Sequence, residues 1–176
     1  MLLFTDPTRT PDPVAAAARL PRGCGVVFRP FGAADALGQG RALAKVCKRR
    51  GLVLLVGADP SLAARLNADG VHLPERLSDR AGAIRALRAR FLVTAAAHDL
   101  PAALKARRAG VQVLVISPVF ASRSPSAGRP IGPRALARFA RSAGGPVYAL
   151  GGVNVRTARA LSLTGAAGLA AVEALA

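Results

Sequence analysis

Arg107-Arg108-Ala109-Gly110-Val111-Gln112-Val113-Leu114-Val115-Ile116 carries one whole unit of the fold. A basic turn closes a helix, a glycine stops it, and a near-continuous apolar run follows. Such a run, without regular polar alternation, is what a parallel strand covered on both faces requires. The order helix, glycine, apolar strand recurs at Gly51, at Gly70 and from Gly165 to Val172. Repeated units of this kind predict an α/β fold with parallel strands.

Working outward, residues 2–5 read as the first strand and 12–19 as a helix, with Pro13 behind Asp12 suiting a helix start. Residues 25–29 are the second strand, and 34–50 a long helix that ends in a basic turn before Gly51. Residues 52–56 are the third strand, 60–66 a short helix and 70–73 the fourth strand. A helix over 78–90 follows, with Ser78 as its cap and Leu77, Ile84 and Leu87 as its inner face. Residues 91–95 and 111–116 are the fifth and sixth strands, separated by a helix opening at Asp99. A long loop covers 117–132 and a helix 133–142; the seventh strand is 146–150, a helix 155–163, and the eighth strand 167–172. Eight strands, each followed by a helix or its stub, predict a (β/α)8 TIM barrel, a single compact domain over residues 1–176. An open doubly wound sheet needs a glycine-rich fingerprint after the first strand, and Thr5-Asp6-Pro7-Thr8 offers none.

At 176 residues and 52% hydrophobic, the chain has enough apolar surface for such a core. No apolar run reaches membrane-spanning length and the first residues lack a basic leader, so a cytoplasmic location with no membrane partner is expected. Cys24 and Cys47 stand apart from each other and from any histidine at ligand spacing, which favours buried reduced thiols. The net charge of +16 invites a nucleic-acid reading. Against it, Lys45, Lys48, Arg49, Arg50, Arg80, Arg85, Arg88, Arg134, Arg138 and Arg141 are spread over predicted helix exteriors. Aromatic residues make up only 4% and do not interleave with the basic runs as stacking platforms would. Nucleic acid is therefore the remote alternative, and attraction of small phosphorylated metabolites is the expectation.

In a barrel of this kind chemistry sits in the loops after the strands, and phosphate is commonly held after strands seven and eight. Gly151 and Gly152 let backbone amides approach an anion, with a helix start behind them and Gly168 on the neighbouring strand. The long loop after strand six offers the hydroxyls of Ser122, Ser124 and Ser126 and the cations Arg123 and Arg129 for phosphate. Arg29, at the end of strand two, would point into the mouth as a further anion ligand. Of the two histidines, His72 sits inside an apolar strand and reads as core or wall. His98 lies just past strand five and reads as an acid–base group.

Ala68-Asp69-Gly70-Val71-His72-Leu73, Pro118-Val119-Phe120 and Ala149-Leu150-Gly151-Gly152-Val153-Asn154 together resemble the thiamine phosphate synthase/TenI family, in order and in strand position. The start at Leu3-Phe4-Thr5-Asp6 and the segment Gly165-Ala166-Ala167-Gly168-Leu169-Ala170 are similar as well. The resemblance implies a (β/α)8 barrel of thiamine biosynthesis. Its synthase branch joins a hydroxymethylpyrimidine pyrophosphate to a thiazole phosphate with Mg2+ assistance, a transferase reaction. Its TenI branch tautomerises a thiazole carboxylate phosphate by proton transfer and needs no metal.

The departures from that pattern are specific. Where the family carries Gln-x-Arg-x-Lys, this chain has Val27-Phe28-Arg29-Pro30-Phe31 and keeps only the arginine. The family's Asn-Asp after strand three is here Gly57-Ala58, with Asp59 one position on as the candidate metal ligand. The second metal carboxylate falls near Leu77, with Glu75 and Asp79 as neighbours. The lysine of the strand-six loop falls near Pro125, with Arg123 and Arg129 as stand-ins, and Glu173 takes a position that often holds a small hydroxyl residue facing phosphate. Three readings stay open: a synthase with displaced ligands, a tautomerase using His98, and a non-catalytic binder of a thiazole phosphate. A homo-oligomer is compatible with all three.

Overall fold

The computed structural model describes residues 1–122, 124 and 128–172. Eight parallel strands close on themselves in the order β1 to β8, each hydrogen-bonded to its sequence neighbour and β1 to β8. They are β1 Leu2–Phe4, β2 Gly25–Phe28, β3 Val53–Gly57, β4 Gly70–Leu73, β5 Leu92–Ala97, β6 Val113–Ile116, β7 Val147–Ala149 and β8 Gly168–Ala171. The helices between them are α1 Pro13–Arg19, α2 Ala36–Arg50, α3 Pro60–Arg65, α4 Ala81–Leu87, α5 Leu100–Arg108, α6 Gly132–Ser142 and α7 Val155–Ala158. This is the expected (β/α)8 barrel.

Because side chains alternate along a strand, each strand feeds two cores. Leu2, Phe4, Val27, Leu55, Val115 and Ala170 fill the inside of the barrel. Leu3, Val26, Leu54, Val71, Val93 and Leu114 face the helices. Each large buried side chain here contributes about 1.5–3 kcal/mol of burial. The inward parity of β2 runs through Gly25 and Val27 to Arg29, and that of β4 through Gly70 to His72, so both polar groups emerge at the mouth.

The helix starts repeat one device. Asp12, Asp35, Asp59 and Asp99 cap α1, α2, α3 and α5, each accepting a backbone N–H at 2.7–2.9 Å. Such caps stabilise by about 1 kcal/mol each. Two expected boundaries differ. Ser78 caps nothing: it is buried inside a 3-10 helix, Glu75–Arg80, and α4 begins only at Ala81. Glu75 thereby stands directly behind β4. The helix expected over 155–163 is α7 followed by a 3-10 turn, Arg159–Leu161. Cys24 and Cys47 are buried and free, and burial pushes the Cys47 thiol up to about 11.

Candidate functional site

The strand C-termini open into a cavity of about 1070 Å³. Arg29, His72, Glu75, His98, Ser122, Ser124, Gly151 and Gly152 all border it. The structure thus gathers residues spread over most of the chain. It leaves Arg129 exposed outside the cavity wall, and Gly168 at the opposite end of β8, where the Tyr148 ring covers it. Gly168 is therefore not beside Gly151 and Gly152, because strand direction puts the first residue of β8 at the floor. Arg123, Ser126 and Glu173 lie outside the described residues.

Gly151 and Gly152 have φ of +92° and +63°, backbone that L side chains rarely adopt. Their second constraint is contact with the strand-six loop. A Cβ on Gly151 would stand 2.8 Å from Pro118 Cα, and one on Gly152 would run into Phe120 and the Ala121 carbonyl. Val119 and Phe120 donate their amides to the Leu150 and Gly151 carbonyls at 2.9 and 3.0 Å, locking the two loops together. The amides of Gly151, Gly152 and Val153 meet no acceptor within the described chain. The helix behind them adds less than expected. α7 is four residues long, and Asn154 Oδ1 already accepts from the Arg156 and Thr157 amides.

Arg29 is held by its own neighbours on one side only. Its amide donates to Thr5 Oγ1 at 2.9 Å and its Nε to the Thr5 carbonyl at 2.8 Å. Its guanidinium lies over the rings of Phe4 and Phe31, 5.4 and 4.9 Å from their centroids. Nη2 sits 3.7 Å from Asp6 Oδ2, beyond hydrogen-bonding reach, and is buried without a hydrogen-bond partner. Burial lowers the Arg29 pKa to about 10, against the pull of Asp6. The Asp6 carboxylate is held well below the usual range, chiefly by its hydrogen bond from Arg9 at 2.8 Å.

His72 is 7% exposed, with Nδ1 2.9 Å from Thr94 Oγ1 and its ring edge-on to Phe4. Burial, helped by the Arg29 charge, lowers its pKa to about 3, so it lines the cavity as a neutral group. His98 is the open one. Its Nδ1 and its backbone amide both meet Glu75 Oε2, each at 2.7 Å. Sequence reasoning missed Glu75 as a partner for His98; His72, read as core or wall, is a buried part of the cavity wall. Strand parity from Gly70 was the available signal for His72. For Glu75, the signal was that β4 and β5 are neighbours whose ends must lie side by side.

Among the described residues, no cluster of donors is assembled for the Mg2+ that the resemblance implies. Of the nine acidic residues in the chain, Asp79 is exposed and outside the cavity lining, Glu173 lies outside the described residues, and the other seven are engaged. Asp12, Asp35, Asp59 and Asp99 cap helices, Asp69 accepts the Leu54 amide, Asp6 holds arginines, and Glu75 holds His98. Among the described residues no three of His, Cys, Asp and Glu converge as metal ligands. Asp59, the candidate ligand, borders the cavity along with Glu75, but its Oδ1 is already engaged as the cap of α3.

Comparison with known proteins agrees with the fold. The family described as thiamine monophosphate synthase matches residues 14–175. A thiamine-phosphate synthase of Methylococcus capsulatus is 35% identical over 169 residues, covering 92% of this chain and 74% of that protein. A thiamine-phosphate synthase of Alcanivorax borkumensis is 34% identical over 183 residues, covering 98% and 82%. The structure of a thiamine phosphate pyrophosphorylase from Pyrococcus furiosus superposes with a TM-score of 0.84 over 97% of this chain and 84% of that one; at 24% identity it speaks for the fold. Among the described residues no helix is long and apolar enough to cross a membrane.

Proposed function

Since the chain belongs to the thiamine monophosphate synthase family, we propose that it holds a thiazole phosphate in the mouth cavity and moves a proton on the thiazole through His98. The observation that carries this reading is the pairing of His98 with Glu75 in the same cavity as the Gly151-Gly152 bend, where among the described residues no three metal-ligating side chains converge. The phosphate would rest on the free amides of Gly151, Gly152 and Val153, with Ser122 and Ser124 across the cavity. Arg29 contributes a desolvated positive charge with one N–H group still to be satisfied, suited to an anionic group of the ligand. His98 Nε2 would take a proton from one position of the thiazole, and the imidazolium would return it at another. The ligand keeps its composition, so no leaving group has to be stabilised and no metal is called for.

The test is turnover of a thiazole carboxylate phosphate tautomer, followed by solvent deuterium incorporation. General acid–base groups contribute about 10²–10⁴-fold, so His98→Ala should lose activity by that order while still binding the ligand. Full activity in His98→Ala would sink the proposal.

A second reading, coupling of the thiazole phosphate to hydroxymethylpyrimidine pyrophosphate, is supported by the activity that names the Methylococcus and Alcanivorax relatives. Assay of both precursors with and without Mg2+ separates the two. Thiamine phosphate formed only with Mg2+ would establish the coupling reading in place of the first.

A further inference from the structure

We infer that Glu75 is a positioning residue for His98: its carboxylate decides which ring nitrogen carries the proton and turns the other toward the ligand. The inference rests on the proton-transfer reading above and adds a residue to it. β4 and β5 pair in register, His72 with Thr94 and Leu73 with Ala95, so their ends emerge side by side. Glu75 opens the 3-10 helix just past β4, and His98 is the first residue past β5. One oxygen, Oε2, meets both the backbone amide and Nδ1 of His98 at 2.7 Å.

An ionised carboxylate can only accept hydrogen bonds. The proton of a neutral His98 ring therefore sits on Nδ1, and Nε2 keeps its lone pair. Two bonds from one residue to one oxygen also fix the ring relative to its own backbone, which an imidazole side chain 50% exposed would not otherwise hold. A ring held this way presents a ready base, as an imidazole oriented by a carboxylate does elsewhere. Without the carboxylate, the ring would turn freely and favour the Nε2–H tautomer that histidine prefers in water. The same contact occupies one of the two carboxylates that neighbour the expected second metal position, the other being Asp79.

The test uses the whole protein with 15N-labelled histidine, at alkaline pH, with His98→Gln assigning the signal against His72. Wild type should show His98 as the Nδ1–H tautomer. Glu75→Ala should shift it to Nε2–H. Glu75→Gln keeps an acceptor for the backbone amide, so the loop stays in place while both tautomers become populated. On the thiazole carboxylate phosphate, Glu75→Gln should lower kcat about tenfold or more with KM little changed, a split that loss of fold would not give. An Nε2–H tautomer in wild type, or an unchanged Nδ1–H tautomer in Glu75→Ala, would overturn the inference. If the tautomer shifts as expected but wild type turns over no thiazole, the positioning role stands and the proton-transfer reading is the one that fails.

Discussion

Two arginines sit at opposite ends of this barrel and are treated in opposite ways. At the floor, Arg107 in the last turn of α5 gives every nitrogen to the backbone. Nε donates to the Ala143 carbonyl at 2.9 Å, Nη1 to Val111 and Gln112 at 3.0 and 2.6 Å, and Nη2 to Pro146 at 2.7 Å. Those carbonyls are the ones leading into β6 and β7, so one side chain ties two strand entrances together. At the mouth, Arg29 spends only Nε on the backbone and leaves Nη2 buried and unmet. Burial lowers the pKa of both. The floor uses its polar groups on itself: Asp69 accepts the Leu54 amide and Gln112 the Val93 amide, at 2.7 and 2.9 Å. The mouth leaves amides, a guanidinium and an imidazole nitrogen open. Unmet polar groups at one end of a satisfied scaffold mark where a ligand belongs.

The widest gap should appear when the floor arginine is replaced. Arg107→Met strands several carbonyls at once and should cost about 3 kcal/mol, read by urea unfolding. Affinity for inorganic phosphate, measured by calorimetry on the folded variant, should not change. Weakened phosphate binding would break the division between the two ends.

The bend comes next. Gly152→Ala puts a Cβ into the Ala121 carbonyl and the Phe120 Cβ at a φ of +63° and should cost about 1–3 kcal/mol. The loop must move to relieve it, so phosphate affinity should fall with stability. A variant that loses stability and binds phosphate as before would leave Gly152 with only its packing role.

How much of this the sequence disclosed depends on range. The barrel was legible because each βα unit announces itself locally, as in Gly110 followed by 111–116, and eight units admit one closure. Arg29, His98 and the paired glycines were legible as positions, since a strand end fixes what reaches the mouth. Their partners were not. Glu75 is 23 residues from His98, and only the register of β4 against β5 brings them together. Ser78 misled because a serine before an apolar stretch looks like a cap whether the next turn is 3-10 or α. Gly168 misled because it was placed by strand and not by the end of the strand.

His72 sharpens the comparison through pH. Its pKa falls from 6.5 in the unfolded chain to about 3 in the fold. Its contribution is therefore complete above about 6.5 and is lost as pH drops toward about 3, where the unfolded chain binds a proton that the fold refuses. Over that window the slope should approach about 1.4 kcal/mol per pH unit. His72→Leu keeps the bulk and removes the titration, so its stability should fall less steeply with acid. Parallel slopes for the two proteins would mean that His72 is solvated in the fold.

The smallest effect on stability is expected at the mouth arginine, and its smallness is informative. Arg29→Met loses the Nε bond to Thr5 and a 3.7 Å pairing with Asp6, but it also removes a charge held away from water beside an unmet donor. These terms oppose each other, and a methionine still packs on Phe4 and Phe31, so stability should move by less than about 1 kcal/mol in either direction. Thiazole phosphate affinity should nevertheless fall about tenfold, the size of one lost charge-assisted hydrogen bond. The same substitution at Arg107 should give the reverse pattern, lost stability with binding kept. If Arg29→Met instead destabilises as strongly as Arg107→Met and leaves affinity alone, Arg29 is a second structural brace, and the open donor at the mouth has no ligand to meet.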